Sequence, residues 1–161
     1  MNIVIFDYAI IPLLYSVFLY FSKPFINFIL RIQVYFNYAH DTDFKLMIKN
    51  IGLSMLEAQA AELEKQCELY GIPMPSRPPK NVTLHGDSII FSDEYMFRQI
   101  FEGCQHFLQH IARCISTAVH NDALREIFYK FFKDEMTIFN NICKYGKTKG
   151  YLHVAPTYKA T

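Results

Sequence analysis

The chain has 161 residues, of which 52% are hydrophobic and 19% charged, with a formal net charge of +1. That is enough apolar material for one sizeable core, and it excludes an intrinsically disordered chain. The near-zero charge gives no electrostatic footprint for nucleic acid.

The four cysteines, at 67, 104, 114 and 143, form no C-x-x-C pair or other zinc spacing. They are expected to be free thiols, with Cys104 on a core face as a small hydrophobe. Residues Tyr8 to Ser22 carry no charge, and apolar character resumes after Lys23-Pro24 through Leu30. This run is short of the roughly 20 residues of a spanning helix. Residues 1–24 therefore read as an apolar N-terminal segment, an extra helix broken at Pro24. Residues 1–30 are a candidate for membrane contact, or for a buried or partner-facing helix.

Residues 25–161 read as a bundle of four main helices with a non-helical tail. The first runs from Phe25 to Ala39, with Phe25, Phe28, Ile29, Ile32, Tyr35 and Phe36 on one face. The second runs from Asp43, capped by Asp41 or Thr42, to Tyr70, with Gly71 as its stop. Its stripe is Phe44, Met47, Ile48, Ile51, Met55, Ala58 and Leu69. A long connection rich in proline and glycine follows, Gly71 to Ser92, with short extended candidates at 82–84 and 89–91. So long a link suits two parallel helices joined by a crossover that travels the bundle length.

The third helix runs from Asp93, capped by Ser92, to Ala118, and the fourth from Asn121 to Lys144, with Gly146 as its stop. Their stripes include Phe97, Ile100, Cys104, Phe107 and Ile111, and Leu124, Phe128, Phe131, Ile138 and Ile142. In the tail, Tyr151, Leu152, Val154 and Tyr158 could anchor the chain across the bundle.

A bundle with a crossover raises the question of a di-iron site, which needs Glu-x-x-His pairs on two helices. No glutamate here is followed three places later by histidine, so no such site is expected. Glu102, His106 and His110 stand four apart on the third helix, a ladder that could hold zinc. They lie opposite the apolar stripe and read as a solvated polar face. Glu62 and Glu135 each fall within an apolar stripe, and a buried carboxylate must be paired, hydrogen-bonded or protonated. Candidate partners are Arg125, His40, Lys144 or a backbone amide. His40, beside Asp41, fits a helix-end cap better than a ligand. No phosphate loop, nucleophile elbow or H-E-x-x-H motif occurs, so no catalytic site, cofactor or small-molecule substrate is expected.

Four strings, NYAHDTDFK (Asn37 to Lys45), YGIPMPSRPPK (Tyr70 to Lys80), HNDALREIFYKFFKDE (His120 to Glu135) and YGKTKGYLHVAPTYK (Tyr145 to Lys159), resemble one family. It is the domain-of-unknown-function family 3231 of spore-forming Firmicutes. The resemblance covers about Gln33 to Lys159 and implies a ferritin-like four-helix bundle with a role in the spore or its coat. It supplies no catalytic residues. Together with the residues it gives the expectation of a non-enzymatic structural or interaction protein, cytoplasmic or spore-associated, with protein partners or self-association. A metal- or ligand-binding bundle using Glu62, Glu135 and His40, and a membrane-anchored bundle, are the alternatives.

Overall fold

A computed structural model describes residues 4–74, 76–77 and 91–153. The described residues form an all-helical bundle: α1 (Val4–Tyr38), α2 (Thr42–Met47), a π-helical segment (Ile48–Leu53), α3 (Ser54–Leu69), α4 (Asp93–Thr117) and α5 (Asp122–Lys149). The extended candidates at 82–84 and 89–90, and Val154 and Tyr158 in the tail, lie outside these residues.

The caps form where the sequence offers them. Asp41, Ser92 and Asn121 each accept a hydrogen bond from the amide three residues on, at Phe44, Tyr95 and Leu124. Arg125 closes the end of α4, with Nη1 donating to the carbonyls of Ala118 at 2.9 Å and Val119 at 3.1 Å. It is therefore a cap, and not the partner of a buried glutamate.

Two helix ends differ from expectation. The first helix begins at Val4 and runs through Lys23-Pro24 without a break. Pro24 sits on the exposed side, while Phe18 and Phe25 on either side of it are buried, so packing carries the helix across the missing hydrogen bond. At the other end, α5 continues past Gly146 to Lys149 and stops at Gly150, whose φ of 74° is the left-handed conformation of a C-terminal stop. Gly146 serves close packing instead: a Cβ there would stand 2.3 Å from Cζ of Phe97 and 2.8 Å from Cγ of Leu152.

The second helix also departs from a single α-helical phase. The dihedrals at Met47, Ile48 and Ser54 are helical, so α2, the π segment and α3 form one continuous rod. A π turn accommodates one extra residue and shifts everything downstream by about 100°. The expected stripe at Met55, Ala58 and Glu62 is therefore displaced by one position. Leu56, Gln59, Ala60, Leu63 and Cys67 are buried, and Leu69, expected in the core, is 71% exposed.

Contacts between distant residues fix the directions of the helices. The amides of His40 and Asp41 donate to the Asp93 carboxylate at 2.9 and 2.8 Å, and Lys149 Nζ donates to Asp41 at 2.6 Å. One end of the bundle thus holds the α1–α2 turn, the start of α4 and the end of α5. At the other end, Asn121 Nδ2 donates to the Tyr70 hydroxyl at 3.2 Å, which brings the end of α3 to the α4–α5 turn. The rod and α4 therefore run parallel. With 25 residues α4 is about 37 Å long, so the chain between Tyr70 and Asp93 has that distance to cover. Within its described part, Arg77 binds Glu64 and Glu57, which places that residue back along α3 in that direction.

The core lies between α4 and α5, the most extensively packed pair, and the α1 and α3 faces opposite them. Aromatic rings dominate it: Phe25 and Phe28 meet Phe107 at 5.6 and 4.9 Å between centroids, and Phe101 stacks on Phe139 at 5.5 Å. Tyr145 lies between Phe44 and Phe97, and Tyr151 packs on Phe97 at 5.4 Å, so the start of the tail is anchored on the bundle.

Candidate functional site

The one buried carboxylate among the described residues is Glu135, 2% exposed on α5 between Phe131 and Ile138. Its α5 neighbours Leu124, Phe128, Phe131, Ile138 and Ile142 are all buried, so helical periodicity turns it inward. It opens on a cavity of about 20 Å³. All the helical elements contribute to the walls: Phe28 and Ile32 from α1, Gly52 from the π segment, Leu56 from α3 and Cys104 from α4. A volume of this order holds about one water molecule.

Burial pushes the Glu135 carboxyl up to about 7; a hydrogen bond with the Cys104 thiol opposes that rise. Burial also pushes the Cys104 thiol well up, reinforced by the glutamate beside it. The second carboxyl oxygen, Oε1, has no hydrogen-bond partner among the described residues. Near neutral pH the carboxyl is therefore divided between its neutral and charged forms, beside a protonated thiol that is not an activated nucleophile.

The expected site residues do not converge. Glu62 is half-buried, not buried, and accepts a hydrogen bond from Gln66 Nε2 at 2.8 Å. The π turn rotates it out of the stripe and puts Gln59 in the buried position instead. His40 has a side chain 59% exposed at the end of the bundle, with Nδ1 3.5 Å from Asp93. Its backbone amide, more than its ring, does the capping. Glu135 is partnered by Cys104, which none of the sequence candidates anticipated, and Lys144 is exposed. Among the described residues no group of three or more His, Cys, Asp or Glu side chains could hold a metal ion. All four cysteines are free thiols.

Sequence reasoning missed Cys104, Gln59 and Asp93. Cys104 was legible as a core position but not as a bonding partner. Gln59 became buried only through the π turn. Asp93 was read as a first-turn charge, yet its carboxylate reaches across the bundle end to two amides of the α1–α2 turn.

The fold and this interior define a helical bundle whose core holds, among the described residues, a single carboxylate. The chain belongs to DUF3231, a family of proteins of unknown function, whose profile matches residues 26–161. Its fold is similar to the crystal structure of a Bacillus halodurans C-125 protein described as "a putative spore coat protein", with a TM-score of 0.77, 16% identity and 95% of each chain covered. No curated protein matches the chain. Among the described residues no helix is long and apolar enough to cross a membrane.

Proposed function

We propose that the protein is a non-enzymatic structural or interaction protein of the spore, acting through protein partners or self-association. The observation that carries this reading is the closed interior. The cavity beside Glu135 has room for about one water molecule and no substrate, and burial pushes its carboxyl up to about 7. Rigid helical surfaces are then what the chain offers its surroundings. The spore enters through the likeness, over 95% of both chains, to the structure described as "a putative spore coat protein". The family resemblance of the Tyr70–Lys80 and Tyr145–Lys159 strings points the same way.

Two measurements test the proposal. A fluorescent fusion expressed from the native promoter is expected to appear during sporulation and to fractionate with the spore; confinement to vegetative cells overturns the assignment. Elemental mass spectrometry of the purified protein is expected to find no stoichiometric metal. Iron, manganese or zinc bound one per chain and lost in Glu135→Ala favours the metal-binding bundle instead.

A further inference from the structure

Separate from the core cavity, a groove of about 420 Å³ opens between α1 and α4. That is the size of a small-ligand pocket. Asn27 and Arg31 line it from α1, and His106 and His110 from α4, with Phe28 and Phe107 between them. The two histidines are one helical turn apart and so present their rings on the same side. None of the described residues lining the groove is acidic. Glu102, one turn before His106, is exposed and does not line it.

We propose that this groove binds a small organic anion, a carboxylate or phosphate head carried on an aromatic or apolar body. Arg31 supplies a permanent charge, and the imidazole and amide N–H groups supply hydrogen bonds to the head. Phe28 and Phe107, both largely buried, form the apolar base on which the body would rest, and Pro24 closes one side. Gly103 shapes the floor: a Cβ there would stand 2.4 Å from Cε2 of Phe28, so the ring lies directly against the α4 backbone. Burial lowers the pKa of His110, and the nearby His106 and Arg113 lower it further. A bound anion would oppose that lowering and favour the charged imidazole. The permanent charge of Arg31 opposite disfavours a metal cation between the two imidazoles.

The test is a titration of the full-length protein, followed by the ring resonances of His106 and His110. Benzoate and phenyl phosphate are the probes, with inorganic phosphate and zinc as comparisons. Saturable shifts with benzoate, phenyl phosphate or both are expected, and the responding probe identifies the head group. Inorganic phosphate should bind more weakly, and Arg31→Gln should weaken the organic probes about tenfold. Arg31 is exposed, so the variant should keep its circular dichroism, and the equally exposed His106→Gln provides a second variant. Absence of a saturable shift with either organic anion overturns the proposal. So does binding unchanged in both variants, or inorganic phosphate binding as tightly as phenyl phosphate. Saturation by zinc alone assigns the histidine pair to a metal and overturns it equally. The proposal stands or falls independently of any role in the spore.

Discussion

In the α4–α5 hairpin the buried positions keep one α-helical phase, from Met96 to Cys114 and from Leu124 to Gly146. In the rod of α2, the π turn and α3 they change phase between Ile48 and Leu56. The two halves cover the same core, but only the first presents a continuous apolar stripe to it. The difference teaches that the rod's face is set by tertiary fit. Its helical backbone accepts an irregular turn so that Phe44 on one side and Leu56, Leu63 and Cys67 on the other can all be buried.

Removing the irregularity should therefore be the most damaging change. Deleting Asn50 would return the rod to a regular helix and rotate α2 against α3 by about 100°. Either Phe44 or the Leu56–Leu63–Cys67 face must then leave the core. We expect a loss of about 4 kcal/mol or more in urea denaturation, given the cost of vacating large buried sites. An unchanged midpoint would show that the π turn does not set the register.

Glu135 of the hairpin faces the π turn across the cavity, and its titration sharpens the comparison. Its folded-state pKa, about 7, lies above the ordinary 4.5, so the folded protein holds the proton more tightly than the unfolded chain. Stability from this group is full below the ordinary pKa and is lost as pH rises through about 7. The wild type should lose about 3 kcal/mol across that window, while Glu135→Gln should not show this loss and should be the more stable form on the alkaline side. Parallel pH slopes for the two proteins would mean that the carboxyl is solvated.

The smallest effect compares one glycine from each half. Gly146→Ala pushes a methyl group into Phe97 and Leu152, and should lower stability by about 1 kcal/mol after the gain in helix propensity is counted. Gly52→Ala, in the π turn, meets only Cγ2 of Ile32 at 3.5 Å and should be neutral or slightly stabilising. Thermal unfolding of the pair checks both, since about 1 kcal/mol moves the midpoint of a domain this size by about 2–4 °C. Equal shifts would mean that the hairpin is no more tightly packed than the rod.

The same contrast separates what the sequence made legible from what it did not. For α4 and α5 the 3.6-residue period was enough: Phe97, Ile100, Cys104, Phe107 and Ile111 are buried as expected, as are Phe128, Phe131, Glu135 and Ile138. The caps at Ser92 and Asn121 were legible because a short polar side chain preceded an apolar run. The π turn carried no such signal. Ile48 to Leu53 contains only ordinary helix-compatible residues and one glycine, so counting at a constant period placed Glu62 in the stripe, whereas the structure buries Leu63 there and leaves Glu62 half-buried. Pro24 misled in the opposite way, because its local preference was strong and the packing that overrides it comes from partners such as Phe107 and Phe128, far along the chain. Of the candidate site, the burial of Glu135 was legible. Its thiol partner was not, because sequence does not say which residues of two helices face each other.

The parallel course of the rod and α4 also orders the assembly of the molecule. The α4–α5 hairpin closes over a four-residue turn, Ala118 to Asn121, so its two helices meet without a long loop to close. The rod follows α1 in the chain and packs on it, but its contact with the hairpin, as where Phe44 stacks on Tyr145, spans the Tyr70–Asp93 link. Its docking must wait for a long loop to close and for the later hairpin to exist. Residues from both sides of that link wall the cavity beside Glu135, so its carboxyl leaves water only once the long loop has closed, and until then it stays hydrated.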